Sequence, residues 1–319
     1  MTESFVVQLF VCAVAAVYLF AACAVARLLL RRAGYMGPPS RRVLVAERFA
    51  LALAFAGVLC FAYGYFVEPY WPEVTRVRIE SRKLKGATRP VRVAHISDLH
   101  CDPQSRLEER LPGIIAAERP DLIVFTGDSL NSPSGLPVLR KLLPRLAHIA
   151  PTFAVRGNWD IWYWSKQELF GGTGVRELDG EAVKVDVAGT SLWVAGVPVG
   201  GLEKIDAALD AATPDAFRLF LYHFPDEIPE VSTKGKADLY CAGHTHGGQV
   251  AMPLYGALIT LSKFGKKYES GLYREGETWL YVNRGIGMEG GHAPRVRFFA
   301  RPEVTVIELV PLNQSEARP

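Results

Sequence analysis

The stretch Val91-Arg92-Val93-Ala94-His95-Ile96-Ser97-Asp98-Leu99-His100 joins two kinds of sequence without a break. Its first six residues are a mostly apolar, β-rich run, and its last four include an aspartate and a histidine one residue apart. The same join recurs along the chain. Leu122 to Thr126 runs into Gly127-Asp128, Thr152 to Val155 into Arg156-Gly157-Asn158-Trp159-Asp160, Phe217 to Tyr222 into His223, and Ala237 to Cys241 into Ala242-Gly243-His244-Thr245-His246. Helix-like segments, Leu107 to Glu118 and Leu136 to His148, separate the first three runs, an order that predicts parallel strands buried on both faces.

The second half changes character. Val183 to Val187 and Ser191 to Val197 flank Ala188-Gly189-Thr190 as a hairpin, and a helix-like Leu202 to Ala211 leads into the run at Phe217. Further short runs follow at Gln249 to Met252, Thr278 to Asn283 and Val304 to Leu309, and a two-sheet α/β sandwich accommodates them all. Ligand sites of open α/β sheets lie outside the carboxyl ends of the strands, so the five polar loops are expected to converge on one spot.

What converges is Asp98, His100, Asp128, Asn158, His223, His244 and His246. The glycines around His244 and His246 let the backbone turn tightly and let an ion approach the main chain. Imidazole mixed with carboxylate suits Mn, Fe, Zn or Ni better than Ca or Mg, and seven ligands are too many for one ion. Two divalent metal ions fit, with a carboxylate such as Asp128 bridging them at roughly 3.5 to 4 Å and a hydroxide between them as nucleophile.

Asp-x-His, Gly-Asp, Gly-Asn-x-Asp, a lone His and Gly-His-x-His, in this order, resemble the calcineurin-like metallophosphoesterase family over about Val91 to Leu309. Gly247-Gly248-Gln249-Val250, Tyr255-Gly256-Ala257, Lys266-Lys267-Tyr268 and Asn283-Arg284-Gly285-Ile286-Gly287 are similar to its membrane-anchored bacterial branch. The resemblance implies that Asp98, His100, Asp128 and His246 hold one metal and that Asp128, Asn158, His223 and His244 hold the other. It also implies catalytic roles for Asp128, Asn158 and His223 in hydrolysing phosphodiester or pyrophosphate bonds. One position departs from the family: the residue after Gly157-Asn158 is usually a histidine that protonates the leaving group, and here it is Trp159. Indole has an N–H donor but nothing that titrates near neutral pH. Loss of proton transfer costs on the order of 10² to 10⁴ in rate, so leaving groups that need little protonation are expected to be favoured.

Other readings are weaker. A metallo-β-lactamase type of hydrolase needs Asp-His after His-x-His, where Gly247-Gly248 stand, and a purple acid phosphatase needs tyrosine where Asn131 sits. A non-catalytic, metal-binding regulatory protein is the alternative from another class; an idle cage has no need of all seven ligands. Trp159, Trp162, Tyr163 and Trp164 read either as core or as a platform for a lipid or ring substrate. Arg284, His292, Arg295 and Arg297 read either as phosphate contacts or as solvated surface.

Ahead of this domain the chain is nearly pure hydrocarbon. Phe5 to Leu30 and Phe49 to Val67 are each long enough to cross about 30 Å of bilayer, and residues 1–68 are expected to form an anchor of two transmembrane helices. Met1 to Ser4 lacks the basic residues of a cleavable signal. Arg27, Arg31, Arg32, Arg41, Arg42 and Arg48 lie between or beside the spans against Glu47 alone, a positive-inside pattern. It predicts a multi-pass protein of the bacterial inner membrane with its domain on the periplasmic side. Residues 69–90 read as a connector with an edge strand at Val74 to Ile79, residues 91–312 as the metallophosphoesterase domain, and 313–319 as a disordered tail. The expected partner is a phosphate-containing substrate, lipid-linked if it resides in the bilayer. The formal charge of +3 over 319 residues leaves no nucleic-acid footprint. Cys101 and Cys241, alone in the soluble part, read as buried free thiols.

Overall fold

The computed structural model describes residues 3–290 and 295–312, so the expected tail 313–319 and His292 lie outside the described residues. The chain forms two compact units, Met1–Val67 and Glu68–Pro319. In the first, α1 (Glu3–Arg32) and α2 (Arg41–Phe66) are both long and apolar enough to cross a membrane. They pack as a hairpin: Tyr18 Oη donates to the Ala54 carbonyl at 3.3 Å, in the space that Gly57 leaves by having no Cβ. Glu47, the single acid between the spans, takes a two-pronged ion pair from Arg31 at 2.8 Å and lies 3.7 Å from Arg27. Leu19, Phe20, Phe49, Phe55 and Phe61 point outward, as a lipid-facing surface requires.

The second unit opens with β1 (Glu73–Ser81) and β2 (Val91–Ile96), then α3 (Leu111–Ala117), β3 (Leu122–Phe125), α4 (Leu136–Ile149), β4 (Thr152–Ala154), the short helix α5 (Asn158–Trp162) and β5 (Arg176–Glu177). It continues with β6 (Glu181–Val187), β7 (Thr190–Gly196), α6 (Ile205–Asp210), β8 (Phe217–Leu221), α7 (Ile228–Thr233) and β9 (Leu239–Ala242). A small pair, β10 (Ala251–Met252) and β11 (Gly256–Ala257), precedes β12 (Gly271–Glu275), β13 (Thr278–Val282) and β14 (Glu303–Pro311). One six-stranded sheet runs β1-β14-β2-β3-β4-β5 and the other β12-β13-β9-β8-β7-β6. The strands that carry candidate ligands at their ends run parallel to one another, β2, β3 and β4 in the first sheet and β8 and β9 in the second, while β2 pairs antiparallel with β14 on its other side.

Alternation along each strand builds four layers. Val91 and Val93 of β2, Leu122 and Val124 of β3, and Phe217, Leu219 and Leu221 of β8 meet between the two sheets. Ala94, Ile96, Ile123 and Phe125 face the other way, against Leu111 and Ile115 of α3 and Leu139, Leu142 and Leu146 of α4. Phe220 and Tyr240 turn outward onto α6 and α7. Helices therefore cover both outer faces, the expected two-sheet α/β sandwich, and each fully buried Leu or Val contributes about 1.5 to 3 kcal/mol.

Two expectations shift. The helix expected from Leu107 begins at Leu111, because Pro112 has no N–H to continue an earlier turn and sits at the second helical position, where none is needed. The stretch expected as a connector carries β1, which pairs with β14 along its whole length and so belongs to the sheet. As expected, it is the edge strand. Cys101 and Cys241 are buried and free.

Candidate metal centre

The five polar loops leave the strand ends in tight, mostly left-handed turns. Asp98, His100, Asp128, His244 and His246 all have positive φ, between 41° and 72°. Side chains other than glycine rarely hold this backbone, and such strain concentrates at functional sites. Main-chain bonds enforce it: Asp98 N–H donates to the Gly127 carbonyl and His100 N–H to the Asp128 carbonyl, both at 2.9 Å, zipping the loop after β2 to the loop after β3. Gly243 has a role other than the backbone freedom expected of it, for it is absent from the positive-φ residues. A Cβ there would collide with the side chains of Ser97 and Asp98, so it is needed for space. Gly157 likewise leaves room for the Asp128 carboxylate.

Six of the seven predicted residues come together, and the seventh, Asn158, precedes Trp159, whose main-chain N–H donates to Asp128. Asp128 Oδ2 stands 3.5 Å from His100 Nε2 and 3.3 Å from His223 Nε2, and Asp98 Oδ1 stands 3.5 Å from His246 Nε2 and 3.9 Å from His223 Nε2. Ligand atoms of Asp98, His100 and His246 lie within 4.8 Å of one another, and so do those of Asp98, Asp128 and His223. Asp98 is thus common to both groups, while Asp128 faces a histidine of each. The His244 ring lies 5.2 Å from that of His223, and the main-chain N–H of His244 donates to both Asp98 oxygens at 3.2 Å. Asn158 is buried at the start of α5.

A metal fits these residues. Among the described residues, His100 Nδ1 and Nε2, His223 Nε2 and Asn158 Oδ1 are buried without a hydrogen-bond partner. Native structures rarely leave such atoms orphaned, and here they surround two buried carboxylates, the donor set of a borderline transition ion. His223 is oriented for ligation: its Nδ1–H donates to the Thr126 carbonyl at 2.6 Å, which turns Nε2 toward the carboxylates.

The electrostatics follow from burial. Burial pushes Asp98 up to about 7, against the pull of His223. Burial would also raise Asp128, but His223, His100 and His244 together hold it below the ordinary range. His223 shows the converse: burial pulls it down, and Asp128 and Asp98 outweigh that and hold it up to about 9. Burial takes His100 down to about 4 and His244 to about 3. A cation entering at His223 Nε2 must therefore displace a proton, whereas His100 and His244 present lone pairs already.

The pattern of strand-end ligands did not single out Asp160, and Arg297, read as a phosphate contact or solvated surface, is fully buried. Asp160 is fully buried and accepts N–H groups of Asp128 at 2.9 Å, Ser129 at 2.9 Å and Gly157 at 3.0 Å, so it ties two ligand loops together. Its place in Gly157-Asn158-Trp159-Asp160 was the available signal. Arg297 is buried, donates to the carbonyls of Arg284 and Ala300, and brings Nη2 within 3.5 Å of His246 Nδ1. Arg284 pairs with Glu303 and Glu73, and Arg295 with Asp102, so these arginines are engaged within the fold. His95 donates or accepts at Thr126 Oγ1, 2.9 Å away, inside the sheet. Trp159 is half-buried with its ring perpendicular to that of His100 at 5.2 Å, Trp162 and Tyr163 are exposed, and Trp164 donates to the Leu130 carbonyl at 2.9 Å.

Comparison with known proteins bears on this geometry. The family model for calcineurin-like phosphoesterases matches residues 91–248. The chain is 31% identical to the uncharacterized metallophosphoesterase YkuE of Bacillus subtilis, over 86% of this chain and 99% of that one. It is 34% identical to the phosphodiesterase YaeI of Escherichia coli, over 78% and 93%. A transmembrane protein with metallophosphoesterase domain from Danio rerio is 28% identical, over 81% of this chain and 62% of its own.

Proposed function

Since the chain belongs to the calcineurin-like metallophosphoesterases, a family of metal-dependent phosphoric ester hydrolases, we propose that it cleaves phosphodiester or pyrophosphate bonds at a two-metal centre. The observation that carries this reading is the set of orphaned, buried ligand atoms on His100, His223 and Asn158 around Asp98 and Asp128. Asp98, His100, Asp128 and His246 would hold one ion, and Asp128, Asn158, His223 and His244 the other. Bound there, two ions such as Mn, Fe, Zn or Ni would supply positive charge against the phosphoryl oxygens and a water acidic enough to attack near neutral pH. The chain does the rest by position. The left-handed loops hold the two carboxylates apart from solvent, Asp160 fixes the loop that carries Asn158, and Thr126 keeps His223 in the ligating tautomer.

The two long apolar helices support a membrane-anchored protein, whose nearest substrates are phospholipids or lipid-linked pyrophosphates. The exposed Trp162 at the end of α5 and Tyr163 just after it suit a lipid or ring substrate. The arginines at the facing ends of the two helices favour a cytoplasmic loop, which would put the hydrolase on the periplasmic face of the inner membrane. A reporter active only in the periplasm, fused after Leu309, should be active; a signal from a cytoplasmic reporter alone would reverse this orientation.

The catalytic reading is tested with the purified full chain loaded with Mn and offered an aryl phosphodiester, an alkyl monoester and a pyrophosphate-linked nucleotide. Turnover of the diester or the pyrophosphate, ahead of the monoester, is the expected result. Two bound ions with no turnover of any would favour the regulatory protein.

A further inference from the structure

Arg106, six residues after His100 in the loop that leaves β2, has a guanidinium group that is buried and makes no hydrogen bond. Nε, Nη1 and Nη2 are all without a partner, and the side chain is only 9% exposed. Five N–H donors and a full charge therefore lie below the surface with no acceptor. Folded proteins rarely leave neutral donors this way, and a buried charge less often still, because nothing replaces the hydration it has lost.

The acids beside it are already engaged. Asp102 Oδ2 stands 3.6 Å from Arg106 Nε, too far for a hydrogen bond. That oxygen accepts from Arg295 Nη2, and Oδ1 accepts from Asn131 Nδ2 at 3.3 Å. Glu108, buried beside the same turn, accepts the Arg106 main-chain N–H at 2.6 Å and the Ser105 hydroxyl at 3.2 Å, and no guanidinium nitrogen. Two guanidinium groups thus share one carboxylate, and the cluster is one negative charge short. Asn131 Nδ2 also donates to the His100 carbonyl at 3.0 Å, which ties the cluster to a loop that carries candidate metal ligands. The Arg295 side chain, 43% exposed, opens it to solvent.

We propose that Arg106 and Arg295 form an oxyanion site that takes a phosphate group, separate from the metal centre and linked to it through Asn131. A guanidinium fork presents parallel N–H groups at the spacing of two phosphate oxygens, so one such anion answers the donors of Arg106 and balances the cluster. The site stands on the two arginines alone. That its ligand is a phosphate rests on the phosphohydrolase reading above, and the same chemistry is offered by free orthophosphate and by a phosphomonoester group on an organic molecule.

The test uses the full-length protein stripped of metal with EDTA and dialysed free of it, so that no metal ion holds the anion. Equilibrium dialysis with radiolabelled orthophosphate should bind to the wild type, and Arg106→Met should bind about 10- to 100-fold more weakly, the loss of one charge-assisted contact. Melting separates this role from a structural one. A buried charge that nothing answers is exchanged for an apolar chain of similar size without loss, so Arg106→Met should melt at or above the wild type in the absence of phosphate. Adding phosphate should then raise the melting temperature of the wild type alone. No binding by the wild type, equal phosphate effects in both proteins, or an Arg106→Met that melts well below the wild type without phosphate would overturn the site. Dialysis of the wild type decides the matter even where the variant does not fold. Glycerol 3-phosphate as competitor identifies the source: displacement stronger than by unlabelled orthophosphate assigns the site to an organic phosphate, and weaker displacement to the free ion. Acetate that displaces equally well would overturn the phosphate assignment. None of these readouts needs turnover, so failure of the site and failure of the phosphohydrolase reading are told apart.

Discussion

Replacing Asp128 with alanine is expected to strip the centre of metal and lower kcat/KM for a diester by at least on the order of 10⁴, about 5.4 kcal/mol of transition-state stabilisation. The size follows from where the carboxylate sits. Oδ2 faces a histidine of each ligand group and Oδ1 accepts the Trp159 N–H, so one side chain touches both groups and the loop that carries Asn158. Its removal also leaves the His223 ring without the main charge that holds it protonated in the metal-free protein. Metal content by elemental analysis and turnover of an aryl diester are the two measurements. Asp128→Asn, which keeps the shape and one acceptor, separates lost chemistry from lost folding: it should melt close to the wild type and still fail to turn over. Two retained ions, or activity within tenfold of wild type, would refute the shared role.

The second large effect belongs to a residue that touches no substrate. Asp160→Ala is expected to destabilise the protein by about 3 to 5 kcal/mol, since three buried N–H donors lose their acceptor at roughly 1 to 3 kcal/mol each and neighbouring groups relax only in part. Those donors belong to Asp128, Ser129 and Gly157, so loosening them also moves a carboxylate and Asn158 out of register. Metal affinity should fall about 10- to 100-fold, as when an outer partner of a ligand is removed. Chemical denaturation and a metal titration read the two effects separately. A stability change below about 1 kcal/mol would mean that the loop is held by other bonds and that Asp160 is incidental.

Much of this was legible because the chemistry sits where strand patterns stop. Val91 to Ile96 alternates between two cores, and the residues after it have no packing to do, so aspartate and histidine stand out. What the pattern could not carry is cooperation between loops. Asp160 looks like an ordinary residue of a short helix until its three donors are seen, and Arg297 lies in an irregular segment whose lack of periodicity gave no sign that it is buried. Gly243 shows a subtler limit. A glycine in sequence suggests a turn, while here the turns are taken by the ligands themselves and the glycine only makes room for Asp98. The start of α3 was decided by Pro112, a local signal that the apolar periodicity overran.

The pairing of β1 with β14 bears on how the protein is made. Glu73 lies opposite Glu303, so the first strand after the helices waits for a partner about 230 residues later in synthesis. Until that partner arrives, β1 is an unpaired edge, and the remaining strands must assemble without it. Closing that pairing is then a late step of folding. A ribosome-stalled chain lacking residues 303–311 would hold a largely formed centre on a stem that protease can still cut.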